Sequence, residues 1–222
     1  GYPDLVTGAE VVTSKLLYLL GYYVPSYEII EVAVEDLAVS ERVEDGEEEL
    51  REALEGRLRD GRLRASASRL LDGEVLGPFR FKRHRDCAEC RSLKVACAWV
   101  NHTDTKDHNT LMVWTGTQAV GYLIDFGTSL GADAARGPKR PCQGWHYDVD
   151  LPHAAAELLT FGLHDDGCPT GAPVLSQAEG RFPSAFDPRH WKPYAPNLAF
   201  EELTDPEARW MAARIAQVSR AQ

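Results

Sequence analysis

Two short apolar runs at 110–114 and 120–124, with Gly116 between them, constrain this chain most. Both are rich in β-branched, aromatic or long apolar residues, and the intervening glycine is a turn signal, so together they predict a β-hairpin. Polar stretches flank it. His102-Thr103-Asp104-Thr105-Lys106-Asp107-His108-Asn109 comes before, and Asp125-Phe126-Gly127 comes after. A hairpin returns its two ends to one place, so Asn109 at the start of one strand should meet Asp125 at the end of the other.

The residue types in those flanks suit phosphoryl transfer, which asks for positioning and charge neutralisation rather than covalent chemistry. Asp104 is the candidate to accept and orient a hydroxyl proton, and Lys106 to neutralise a transferring phosphoryl group. Asn109 and Asp125 offer hard oxygen ligands for Mg²⁺. His102 is expected to brace the loop, and Gly127 to permit the backbone turn that aims Asp125. The alternative is a polar loop in which Asp104 and Asn109 cap turns and Asp125 ends a strand. Asp107 and His108 read as solvated loop residues. Neither Gly-x-Ser-x-Gly nor a P-loop is present, which leaves hydrolase and Walker-type readings without support.

Upstream, Thr7-Gly8-Ala9-Glu10 fits a capping box, with Val6 and Val11 as a staple and a helix at 8–20. Val12, Leu16, Leu19 and Leu20 would form its buried face. Residues 27–34 read as a strand, 47–58 as a short helix with Leu50, Leu54 and Leu58 on one stripe, and 63–71 as a weaker strand. Asp72-Gly73 and Gly77-Pro78 mark a boundary near 72–80. A helix over 85–100 places Cys87, Cys90, Leu93, Cys97 and Val100 on one face. Residues 129–144 read as loop, 153–161 as a short helix, and 167–197 as a meander that packs Phe182, Phe186, Trp191 and Tyr194 on the core. Thr204-Asp205-Pro206-Glu207 starts a final helix with Met211, Ile215 and Val218 inward.

The chain has 222 residues and a net charge of −10, which argues against nucleic acid or an anionic membrane as the main partner. No apolar run is long enough to span a bilayer. Five cysteines, an odd number, do not suggest a disulfide framework. Cys87, Cys90, Cys142 and His146 could make a zinc site, although cysteines sharing a stripe with Leu93 and Val100 read more simply as small core residues. The other histidines, His84, His153, His164 and His190, show no metal spacing.

On these motifs the chain resembles the atypical bacterial branch of the protein-kinase-like superfamily, similar in plan to HipA toxin kinases and CotH spore-coat kinases. The resemblance runs through residues 7–12, 21–25, 98–104, 122–131, 191–193 and 210–214. It is closest to a bacterial kinase-like group with no established substrate. It implies an α+β kinase-like fold, with 1–75 as a partial N-lobe and 76–222 as a mainly helical C-lobe. It also implies an Mg-ATP-dependent phosphotransferase acting on a hydroxyl acceptor, with Asp104, Lys106 and His102 in the catalytic loop. Asn109, Asp125 and Gly127 would serve the metal and nucleotide, and Glu10 would be the helix glutamate that pairs with an ATP-holding lysine. The segment 27–41 would supply the adenine edge. No Lys precedes Glu10 in this chain, and a Gly-rich loop is missing there too. The expectation is therefore a C-terminal part of a longer protein, with weak ATP binding and little or no transfer on its own. The alternative is a non-catalytic, pseudokinase-type binding module. Some resembling proteins are exported, so an extracytoplasmic site stays open.

Overall fold

The computed structural model describes residues 2–134, 137–140, 142–164, 167–168 and 178–220. Helix α1 spans Tyr2–Leu19. It begins well before the expected start. Thr7 is not a cap: its hydroxyl donates back to the Asp4 carbonyl at 3.3 Å and accepts from Arg64 Nε at 3.0 Å. Leu5, Ala9 and Leu16 pack with Val100, Leu130 and Ala132. Leu17 and Leu20 join a second cluster containing Leu93, Phe126, Trp191 and Met211. Val12 and Leu19, expected inside, are 46% and 59% exposed. Burial on two sides moves the apolar face away from a single helical stripe.

Strand β1 (Tyr27–Ala33), helix α2 (Gly46–Leu54), β2 (Leu58–Arg59) and β3 (Arg62–Ser68) follow. They form an antiparallel sheet in the order β1-β3-β2, resting on α1. Of the expected α2 stripe, Leu54 is buried, whereas Leu58 has moved into β2 and is exposed. Strand β4 (Glu74–Gly77) pairs with β5 (Thr110–Trp114), and β5 pairs with β6 (Ala119–Leu123). The predicted hairpin is therefore present, with Thr110 opposite Leu123 and Trp114 opposite Ala119.

Between β4 and β5 runs α3 (Ala88–Val100). Leu93, Cys97 and Val100 are buried as the sequence pattern required, and Cys90 packs against the same core. The final helix α6 (Asp205–Arg220) packs on α3, with Met211 and Ile215 buried. Here the Thr-x-x-Glu motif does cap: Glu207 accepts from the Thr204 N–H at 3.0 Å. Glu207 also ties α6 to α3 by accepting from Arg91 Nε at 3.0 Å. A short pair, β7 (Ala132–Asp133) with β8 (Gly137–Pro138), precedes α4 (Leu151–Leu159). A brief α5 (Leu198–Glu201), not expected from the sequence, buries Phe200.

The structure is thus mixed α+β with small antiparallel sheets. Among the described residues no helix is long and apolar enough to cross a membrane. Of the expected aromatic meander, Trp191 is buried and Phe182 stacks on Trp99 with centroids 5.3 Å apart, whereas Phe186 stays 45% exposed. Residues 169–177 of that stretch lie outside the described residues.

One expectation about the cysteines is overturned. Cys142 and Cys168 form a disulfide, so Cys142 is not available for the zinc set. Cys87 donates instead to Glu89 at 3.1 Å.

Candidate active site

Helix α3 ends on Asn101 in the left-handed conformation, with φ at 50°, and the His102 N–H closes back onto the Cys97 carbonyl at 2.8 Å. This αL ending turns the chain out of the helix and into the polar loop. From there four loop carbonyls are held in turn, three of them by residues remote in sequence and one by Asn109. Lys139 Nζ donates to the Asn101 carbonyl, and the Tyr194 N–H donates to that of Thr103 at 2.8 Å. Asn109 Nδ2 donates to the Asp104 carbonyl at 2.9 Å, and Asn197 Nδ2 to that of Thr105 at 3.2 Å. Lys139 Nζ also donates to Thr103 Oγ1 at 2.7 Å. A loop pinned at four carbonyls presents its side chains in a fixed direction.

Asp104 is the side chain so presented. Its Oδ2 accepts from Lys106 Nζ at 2.8 Å. Both line an open cleft of about 610 Å³, together with Lys82, His108, Asp148 and Tyr194. His102 faces the other way. It is 4% exposed, its Nδ1 lies 3.2 Å from Thr128 Oγ1, and its ring packs against Phe126. Burial, reinforced by the nearby Lys139 charge, pushes its pKa down to about 3, so it is a neutral brace at ordinary pH. Asp107 is not a free loop residue, because its Oδ1 accepts from the Phe81 N–H at 3.0 Å.

The hairpin delivers the second half. The Ile124 N–H donates to the Asn109 carbonyl at 3.0 Å, which sets Asp125 beside the loop. Asp125 carries the strained backbone, with φ at 61°. Gly127 has no such angle. It lies in a turn, where a Cβ would come within 3.3 Å of Ala134 Cβ and 3.5 Å of Glu10 Oε2, so the glycine answers a close approach rather than a left-handed backbone. Phe126 is fully buried. Its N–H donates to Glu10 Oε2 at 2.8 Å, and its carbonyl accepts from Ser129 Oγ at 2.7 Å. Ser129 Oγ lies 2.6 Å from Thr13 Oγ1, a second tie to α1.

Glu10 is 7% exposed. Burial pushes its carboxyl up to about 7; the Phe126 N–H opposes this and the Asp125 charge adds to it. Asp125 is itself held above its usual value by partial desolvation and by Asp104, with Lys106 opposing. Asp104, Lys106, Asp125 and Glu10 therefore form one electrostatic neighbourhood, whereas His102 and Gly127 support it from behind. Lys139 and Asn197, which hold the loop from outside it, carried no signal in the sequence beyond their polarity.

Asn109 and Asp125 are the donor types that Mg²⁺ accepts. Asn109 spends its amide nitrogen on the loop and keeps its oxygen end, and Asp125 supplies a carboxylate. Mg²⁺ is commonly held by one or two such groups, with phosphates and water completing the shell. Among the described residues no group of three or more His, Cys, Asp or Glu is arranged to hold a metal ion. This includes the histidines that seemed scattered: His146 stacks on His153 at 4.0 Å, with His164 5.7 Å from His153.

No protein-family model, no curated protein and no solved structure matches this chain.

Proposed function

We propose that this chain carries the phosphate-and-metal half of an Mg-ATP-dependent phosphotransferase of protein-kinase-like plan, acting on a hydroxyl acceptor. The observation that carries the reading is that Asp104 and Lys106 pair at one cleft while the hairpin register brings Asp125 near enough for both charges to act on it. In this reading Asp104 orients the acceptor hydroxyl and takes its proton, while Lys106 offsets charge on the phosphoryl oxygens. Asn109 and Asp125 would hold Mg²⁺, which when bound neutralises phosphate charge and orients the leaving group. Strand β1, at one edge of its sheet, is the place for an adenine.

One observation favours a second reading. Glu10 is occupied by the Phe126 N–H rather than by a lysine, as suits a non-catalytic nucleotide-binding module. The test uses the longest natural protein containing this chain, supplied with Mg²⁺ and γ-labelled ATP. Transfer or hydrolysis that drops by about 10²-fold or more in Asp125→Asn supports the phosphotransferase. Mg²⁺-dependent nucleotide binding without turnover supports the second reading. Turnover that is unchanged in Asp125→Asn and independent of Mg²⁺ sinks both.

A further inference from the structure

Away from Asp104, on the other side of the loop, lies a cavity of about 140 Å³ with an unusual charge for so acidic a chain. Two arginines, Arg140 and Arg181, line it together with the buried amine of Lys139. Their convergence is set by the backbone. Leu130 and Gly131 form a left-handed bend, with φ of 49° and 85°. The Arg181 N–H donates to the Leu130 carbonyl at 2.8 Å, and the Lys139 N–H donates to the Gly131 carbonyl at 2.9 Å. Two segments distant in sequence are thereby fastened to adjacent carbonyls, and their basic side chains share one cavity. The Arg181 side chain lies across Gly131, where a Cβ would come within 3.0 Å of its Cγ and 3.3 Å of Nη1.

The two arginines are not consumed by protein acids, whereas Lys139 lies within reach of the Asp133 charge. Lys139 Nζ donates to two neutral loop oxygens. Among the described residues neither Arg140 nor Arg181 has an ion-pair partner for its guanidinium. The one acid in the lining, Asp187, is taken up by its own turn: it accepts from the Arg189 and His190 N–H groups and pairs with His190 Nδ1 at 2.6 Å. The remaining walls mix the aromatic side chains of Trp145, Trp191 and Phe182 with the polar Asn101, Gln143 and Ser184. Trp145 stacks on His190, and Trp191 is fixed by an indole N–H donated to Asn101 Oδ1 at 2.9 Å. Phe182, half-exposed, closes one side.

We propose that this cavity binds a small ligand bearing a phosphate-type oxyanion on a flat apolar body. A guanidinium fork matches such an oxyanion with paired hydrogen bonds, and indole faces match the ring. The site is separate from the Asp104 cleft, but it shares Asn101 and Lys139 with the loop that presents Asp104. It does not depend on the phosphotransferase assignment.

The test is titration of the full chain with phenyl phosphate, followed by calorimetry and by the Trp indole N–H resonances. Inorganic phosphate and phenol serve as single-part controls. The expected result is saturable one-to-one binding, weaker for either control, with the Trp191 indole resonance shifted. Arg181→Gln should weaken it about tenfold or more, and Arg140→Gln less so, in line with loss of charge-assisted hydrogen bonds. Arg181→Lys should fall between wild type and Arg181→Gln. Lys106→Gln, in the other cleft, should leave the affinity unchanged. Absence of saturable binding overturns the proposal, as does binding lost in Lys106→Gln but kept in Arg181→Gln. If Arg181→Gln fails to fold, Arg140→Gln and Arg181→Lys carry the test, and unchanged affinity in both refutes the site.

Discussion

Replacing Glu10 by Gln should change how stability depends on pH, and the structure sets the size of the change. The Glu10 carboxyl is 7% exposed and sits against the Phe126 backbone N–H. Burial raises its pKa from an ordinary 4.5 to about 7. Between those values the folded chain keeps the proton and the unfolded chain releases it. The folded state therefore binds more protons, and stability falls as pH rises through this window. At 1.36 kcal/mol per tenfold change in proton affinity, the fall is about 3 kcal/mol, complete above pH 7. Gln keeps the shape and an accepting oxygen but cannot ionise. Urea unfolding of both chains from pH 4.5 to 8.5 gives the comparison directly. Near pH 4.5 the two should be close, differing by about 1 kcal/mol for the altered hydrogen bonds. By pH 8 wild type should have lost about 3 kcal/mol relative to Glu10→Gln. Curves that stay parallel to within about 0.5 kcal/mol, the scatter of neutral surface changes, would refute the buried-carboxyl argument.

Two further outcomes follow from the loop's supports. Cys142 and Cys168 are 26 positions apart, a loop whose closure stabilises a folded chain by about 3–4 kcal/mol, so unfolding with and without reductant should differ by that order; coincident curves would contradict the crosslink. Gly144→Ala should cost more than about 2 kcal/mol, since φ is +97° and the new Cβ would lie 2.2 Å from Asn101 Oδ1. It should also release the Trp191 indole, visible as a shifted emission maximum, and an unshifted spectrum with unchanged melting would count against the Asn101 bridge.

Short-range patterns were the legible part of the sequence. The β5–β6 hairpin is encoded in two apolar runs and one glycine, and it formed with nearly the expected bounds. The α3 stripe and the α6 start were equally local. The two Thr-x-x-Glu motifs show where this kind of reading stops. At Thr204 the motif caps, because Pro206 in the first turn prevents the helix from extending backward. At Thr7 nothing blocks extension; α1 continues to Tyr2, and Glu10 goes to the Phe126 backbone instead. Identical patterns thus take a capping role and a site role, and the choice is made by neighbours outside the motif.

Lys139 makes the same point for the site itself. In sequence it is one cation in a Gly- and Pro-rich stretch; in the structure it is buried and donates to Asn101 and Thr103, 38 and 36 positions away. Asn197 reaches Thr105 across 92 positions. The loop from Asn101 to Thr105 contains none of these donors, so its shape cannot be a property of its own residues. Burying an ammonium is costly, and here burial lowers the Lys139 pKa to about 7. A well-packed apolar residue would avoid that cost. What it could not do is hold two loop oxygens at once, and those oxygens set the direction in which Asp104 faces its cleft. The sequence motif therefore names the reacting groups, while much of their alignment is supplied by a buried lysine and by Asn197, which no motif marks.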